Sequence, residues 1–337
     1  MQLSSQILRR NEEYLASASS LLIINPPEVD DLSFLQPKKV LSFNYRVVRS
    51  HKNALEEIVQ FGAHQKDAQR YSTALVYLPK AKGELELTLA LAGSMLEQGA
   101  DLYLVGEKKG GISSAAKKLD LIGSGATKLD SAKHCQFWHV KAEDYSNKPF
   151  NLSDWVQFYQ CEHQDISFKL ATIPGVFSFG RLDDGSAQLL DSMPSNLRGR
   201  NLDFGCGSGA IGIYAAKKNP DISLEMVDTN WLALECAKIS CQENNIDAKI
   251  YPSDGWEEVE GRVNGVMTNP PFHQGISTEY NTTERFIRTA KDKLTKHAPF
   301  LLVANSFLKY PPIIESTFER WDTLSENKKF SVYLARR

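Results

Sequence analysis

The chain lacks the features that would place it in several common classes. Its 337 residues hold five cysteines, an odd number, at Cys135, Cys161, Cys206, Cys236 and Cys241. None forms a CxxC pair and none stands at zinc-type spacing from a histidine, so neither a structural metal nor a disulfide framework is expected, and a reducing compartment is. No apolar run reaches transmembrane length, and the opening "MQLSSQILRRNEEYL" is too polar for a signal peptide. The expectation is a cytoplasmic protein with no membrane partner. A dominant charge is missing as well: 39 Lys and Arg against 41 Asp and Glu leave a net charge of −2. Nucleic-acid-binding proteins usually carry a basic footprint. Here basic residues only cluster locally, as Lys108–Lys109, Lys117–Lys118, Arg198 with Arg200, and the series Arg285, Arg288, Lys291, Lys293, Lys296. Each cluster reads equally well as a solvated helix face.

What is present is ordinary globular material, 42% hydrophobic and 24% charged, in a length that suits two domains. The second half alternates strand-like and helix-like stretches: "NLDFGC" (201–206), "AIGIYAAKKN" (210–219), "ISLEMVDTN" (222–230), "WLALECAKISCQENN" (231–245), "VNGVMTNPP" (263–271), "TTERFIRTAKDKLTK" (282–296) and "APFLLVANSF" (298–307). The tail "KKFSVYLARR" reads as a last edge strand. Such alternation predicts an α/β fold with a doubly wound, mostly parallel sheet, whose ligands lie beyond the C-terminal strand ends. The first half repeats the order faintly. It offers "KKVLSFNYRV" (38–47) without a glycine turn, then "TALVYLPKAKG" (73–83), with Leu78 where the second half has Asn269. "ELELTLALAGSMLEQ" (84–98) and "ADLYLVGEKKGG" (100–111) follow. An ancient duplication whose first copy lost its chemistry explains this, and differing strand orders in the two halves would end the idea. The expected domains are 1–165 and 166–337.

"LDFGCGSGAIG" sets Gly205, Gly207 and Gly209 between a strand and a helix, where missing Cβ atoms let backbone approach a ligand. Gly207, Gly209 and Gly212 also match the dinucleotide pattern GxGxxG, with Asp228 at ribose distance. Asp203 favours S-adenosylmethionine instead, because a carboxylate there repels a pyrophosphate and attracts a cationic methionine moiety. Asp254, in "YPSDGWEEV", suits either an adenine contact or a helix N-cap. The candidate cofactor-binding residues are thus Asp203, Gly205, Cys206, Gly207, Gly209, Asp228 and Asp254.

In "VMTNPPFHQG", Pro270 and Pro271 end a buried strand and hold Asn269 in extended geometry. An exocyclic amino group on a planar base is a poor nucleophile, since its lone pair is delocalised. Acceptors on both of its N–H bonds, the Asn269 side-chain oxygen and the Pro270 carbonyl, would free that lone pair, and Phe272 would stack on the base. His273 is a candidate for substrate binding. The candidate catalytic residues are Asn269, Pro270, Pro271 and Phe272. The motif itself leaves adenine N6, guanine N2 and a glutamine amide open.

"NPPFHQGISTEYNTTERFIRTAKDKLTKHAPFLLVANSFLKY", "TIPGVFSFGRLDDGSAQLL" (172–190) and "LDFGCGSGAIG" together resemble the bacterial ribosomal RNA small subunit methyltransferase C family. The resemblance implies two tandem Rossmann-like methyltransferase domains, the first degenerate and without a cofactor site. It implies S-adenosylmethionine-dependent methylation of N2 of guanine 1207 in 16S rRNA, with the segment 174–182 over the cofactor. Near-neutral charge fits a substrate presented on the assembled small subunit rather than naked RNA, whose binding leans on counterion release. A metal-free monomer is expected. The alternatives are a sister enzyme for 23S rRNA, a release-factor glutamine methyltransferase, a non-catalytic RNA-binding factor and a nicotinamide oxidoreductase.

Overall fold

Short buried apolar runs separated by helices of suitable length fold as parallel strands joined by helical crossovers, because only that arrangement covers both sheet faces. The computed structural model describes residues 2–28, 31–55, 57–63, 69–143, 148–270 and 277–337, and it divides into two compact units, Met1–Trp155 and Val156–Arg337.

The first unit carries helices α1 (Leu3–Arg10), α2 (Glu13–Ala16), α3 (Tyr45–Leu55), α4 (Glu84–Ser94) and α5 (Ile112–Ala115). Its strands are β1 (Leu21–Ile24), β2 (Lys39–Ser42), β3 (Val59–Phe61), β4 (Tyr71–Tyr77), β5 (Leu96–Glu107), β6 (Thr127–Asp130) and β7 (Cys135–Lys141). They form one sheet in the order β3-β2-β1-β4-β5-β7-β6, with β7 antiparallel to both of its neighbours.

The second unit opens with the antiparallel hairpin of β8 (Gln157–His163) and β9 (Ile166–Thr172), then α6 (Asp184–Asp191). There follow β10 (Gly199–Phe204), α7 (Ala210–Lys218), β11 (Ile222–Asp228), α8 (Trp231–Glu243), β12 (Ala248–Pro252), β13 (Gly265–Thr268), α9 (Ser277–Lys293), β14 (Pro299–Asn305), α10 (Pro311–Thr317), β15 (Arg320–Glu326) and β16 (Phe330–Arg336). The main sheet runs β12-β11-β10-β13-β14-β16-β15. Numbered within each sheet, both units follow the same order, 3-2-1-4-5-7-6, so the duplication survives its own test.

Three expectations change. The tail Phe330–Arg336 is no edge strand: it pairs with β14 over its whole length and with β15 on its other side. Its burial explains this, since most of β16 is buried whereas β15 is mostly exposed and takes the edge. In the first unit the strand in the place of β10 is β1, and "KKVLSFNYRV" supplies β2 and the start of α3. The stretch around the expected boundary forms the β8–β9 hairpin. It is pinned to α8 by Ala171 N–H donating to Ser240 Oγ (2.9 Å) and Lys169 N–H donating to Asn244 Oδ1 (3.2 Å). The break between the compact units precedes this hairpin, whereas the sequence boundary of 165/166 cuts it.

Where β10 runs into a glycine turn, β1 runs into Asn25, Pro26 and Pro27. The Asn25 side chain donates to Glu84 Oε1 at 2.9 Å and accepts Phe43 N–H at 2.9 Å, tying the ends of β1, β2 and α4 together. Leu78 follows β4 just as Asn269 follows β13.

Candidate active site

Beyond Phe204 the chain turns through Gly205, Gly207 and Gly209, with φ of +69°, +54° and +87°, before α7 begins. Side-chain-bearing residues rarely adopt these angles. The amides of Gly205 and Cys206 both donate to Val227 O, at 2.9 and 3.0 Å, so the turn is anchored on β11. A Cβ added at Gly205 or Gly207 would meet no atom within 4 Å; bare backbone faces open space there. Gly212 differs: a Cβ would lie 2.6 Å from Met226 Cε and 3.0 Å from Asp203 Oδ2, so this glycine lets α7 pack on the sheet.

Asp203 is fully buried beneath the turn. Its Oδ2 accepts the Gly212 N–H at 2.8 Å, while Oδ1 is buried with no partner among the described residues. Burial lifts this carboxyl to about 7; the Gly212 hydrogen bond holds it back and nearby Asp228 adds to the rise. Asp228, at the end of β11, accepts Gly207 N–H at 3.0 Å and Asn230 N–H at 2.8 Å. The Gly207 amide, which a pyrophosphate would need, is therefore already engaged by a carboxylate. Cys206 lies buried in the turn, and burial pushes its thiol well above the ordinary range, which removes thiolate chemistry there.

Asp254 follows the last residues of β12. The cap alternative fails, because a turn and not a helix occupies 255–258; Ser253 closes it, its Oγ accepting Glu258 N–H at 3.2 Å and donating to Gly255 O at 2.9 Å. Asp254 is buried with Arg285 3.8 Å away, a guanidinium also 3.5 Å from Glu257. Gly255 (φ +68°) again faces open space.

Asn269 comes just after β13, the strand beside β10, and Thr268 Oγ1 donates to Phe204 O at 2.8 Å to lock the two strand ends. The Asn269 amide nitrogen donates to Asp183 Oδ2 and to Ser186 Oγ, both at 2.9 Å. Its Oδ1 is buried and accepts nothing among the described residues. Pro270 is buried; Pro271, Phe272 and His273 lie outside the described residues. Asp183 and Ser186 were not among the residues singled out in the sequence. Their signal was there, since Asp-Asp-Gly-Ser before "AQLL" is a helix start, and Asp183 does cap α6.

In the loop 174–182, Phe177 and Phe179 are 61% and 43% exposed. After β14, Tyr310 belongs to the core and Phe307 is 57% exposed. Beneath the site Phe204, Phe286 and Trp256 stack at centroid spacings of 3.7 and 4.4 Å, which ties α9 to β10. The basic residues of α9 are engaged locally: Arg285 as above, Arg288 with Glu284, Lys291 with Glu319, and Lys293 on Val259 O. Among the described residues no cluster of His, Cys, Asp and Glu could hold a metal ion, and no helix is long and apolar enough to cross a membrane.

Residues 167–334 match the family model "Methyltransferase small domain", and residues 5–159 match "Methyltransferase small domain N-terminal". A relative from Aeromonas hydrophila subsp. hydrophila, named ribosomal RNA small subunit methyltransferase C, is 38% identical over 98% of this chain and 97% of its own. A second, from Pseudoalteromonas atlantica with the same name, is 38% identical over 99% of both. The chain belongs to the ribosomal RNA small subunit methyltransferase C family. The tandem fold is shared by a solved member of that family, the T. thermophilus 16S rRNA N2 G1207 methyltransferase in complex with AdoMet and guanosine. Its TM-score is 0.82 at 22% identity, over 95% of this chain and 88% of that one.

Proposed function

We propose that this enzyme transfers a methyl group from S-adenosylmethionine to the exocyclic N2 amino group of guanine 1207 in 16S rRNA, acting as a monomer on the assembled small subunit. The observation that carries the reading is the Asn269 amide: its nitrogen is held by Asp183 and Ser186, and its buried oxygen has no partner among the described residues.

The residues present fit the cofactor. The Oδ1 of Asp203, without a partner among the described residues, suits a cationic amino group, and the bare backbone at Gly205 and Gly207 leaves room for the amino-acid end. Asp228, at the end of β11, is assigned to the ribose hydroxyls. Asp254 is assigned to the adenine amino group, and the loop 174–182 to a cover over the cofactor. When bound, S-adenosylmethionine supplies an electrophilic methyl group on a sulfonium.

The rest falls to the chain. Asn269 Oδ1 and the Pro270 carbonyl accept the two N–H bonds of the guanine amino group, which localises its lone pair. Both prolines hold these acceptors still, Phe272 stacks on the base, and His273 assists its binding. The surplus proton leaves for solvent after the C–N bond forms, so no strong base is required. The N-terminal unit has no cofactor role in this reading, since Asn25, Pro26 and Pro27 replace the glycine turn and Leu78 replaces the catalytic amide.

Labelled methyl transfer to small subunits, large subunits, naked 16S rRNA and free release factor, followed by nucleoside analysis, tests this. N2-methylguanosine from small subunits, faster than from naked rRNA, is expected. Label in large subunits would move the target, label in protein would replace it, and equal rates on naked rRNA would remove the particle from the account.

A further inference from the structure

We infer that Asp183 is a positioning residue for methyl transfer: it sets which way round the Asn269 amide stands. This rests on the reading of Asn269 as the acceptor for the substrate amino group. An asparagine side chain presents nearly the same shape after a half-turn about its last bond, but it exchanges an acceptor for two donors. Catalysis by Asn269 works in only one of the two states, and prolines in the backbone cannot choose between them.

The choice is made by what faces the amide. Asp183 Oδ2 lies 2.9 Å from Asn269 Nδ2 and 2.9 Å from the Ser186 backbone N–H. A carboxylate oxygen accepts from both. Turning the amide over would set Asn269 Oδ1 against that oxygen, acceptor on acceptor. Ser186 Oγ, also 2.9 Å from Nδ2, takes the second amide proton. Both Asn269 donors are thereby consumed, and Oδ1 is left as the lone buried atom of the group without a partner among the described residues.

The positioning group is itself fixed by the helix it starts. Asp183 is in extended geometry at the N-cap of α6, and Ser186 stands in that helix's first turn. Gly185 keeps the corner open: a Cβ there would lie 3.1 Å from Asp183 Oδ2 and 3.0 Å from the Phe330 ring. A motif 86 residues before Asn269 thus serves two purposes with one oxygen, capping α6 and polarising the amide.

The test compares Asp183→Ala, Asp183→Asn and Asp183→Ser with Asn269→Ala in the full chain. It measures kcat and KM on small subunits, S-adenosylmethionine affinity by calorimetry, and thermal unfolding. Asp183→Ala should lower kcat by about 10²-fold, with KM and cofactor affinity within about twofold. Asp183→Asn should recover most of that loss, because its side-chain oxygen accepts the same two N–H groups. Asp183→Ser retains a good helix cap without reaching the amide, so it should fold as the wild type and lose kcat as the alanine variant does. Added to Asn269→Ala, Asp183→Ala should have no further effect on turnover.

Wild-type kcat in Asp183→Ser with an inactive Asn269→Ala overturns the positioning role and leaves the acceptor reading standing. Equal losses in Asp183→Asn and Asp183→Ala also overturn it, since charge rather than orientation would then matter. Full turnover in Asn269→Ala overturns the acceptor reading and this inference with it.

Discussion

At the scale of single residues, the proposed chemistry rests on Asp203 and Asn269, each with a buried oxygen that has no partner among the described residues. Asp203 carries the clearest consequence. Its carboxyl stands at about 7 because burial disfavours the charge. A cationic ligand group at Oδ1 favours the ionised form, so cofactor affinity should rise as pH rises through 7 and level off above it. A carboxyl at about 7 is roughly one-tenth ionised one unit lower, so binding at pH 6 should be about tenfold weaker than its alkaline limit. Asp203→Asn should bind weakly with no such slope; calorimetry across that range checks both. The places of Asp203, Asp228 and Asn269 at strand ends, where ligands gather in such sheets, were legible in sequence. Asp183 and Ser186 were legible only as a helix start; their link to Asn269 was not, because a helix cap and a distant asparagine share an oxygen only after the chain has folded.

Elements explain why the glycines divide into two kinds. Gly207→Val should retain the fold at a cost of about 1–3 kcal/mol for the strained backbone, because its Cβ enters open space, yet it should lose cofactor binding. Gly212→Val should do the reverse in order of severity. Its side chain is driven into Met226 and Asp203, so thermal stability should drop first and furthest. Unfolding curves with and without S-adenosylmethionine separate the two, and a stable Gly212→Val that binds normally would refute the packing role. The alternation of strand and helix could be read from hydrophobic pattern, which reports burial along one element. The rank of a strand within its sheet could not. Phe330–Arg336 looked like an edge because it closes the chain, although its near-continuous burial belongs to an interior strand. The β8–β9 hairpin escaped because its first strand is largely exposed and polar.

For the molecule as a whole, two units share one strand order. The first has filled the end of β1 with side chains, and the Asn25–Glu84 contact is the measurable trace. Burial lifts the Glu84 carboxyl to about 7 from 4.5, with the Asn25 hydrogen bond opposing the rise. The folded state thus prefers the protonated acid, so its contribution is fully present below pH 4.5 and is lost as pH rises through 7. The loss is on the order of 3 kcal/mol for a shift of this size. Unfolding of the first unit should be easier at pH 8 than at pH 5, and Glu84→Gln, which keeps a partner for Asn25, should flatten the difference. The near-neutral surface reads consistently at this scale, since the cations of α9 lie against carboxylates or carbonyl groups of the same unit and add little to a free basic patch.

The most direct single measurement is methyl transfer to small ribosomal subunits by Asn269→Ala, with cofactor affinity determined on the same preparation. In the proposed reading Asn269 acts on the acceptor, so transfer should fall by about 10²-fold or more while S-adenosylmethionine binds as tightly as before. Transfer at the wild-type rate, or parallel loss of transfer and binding, would contradict the site assigned here.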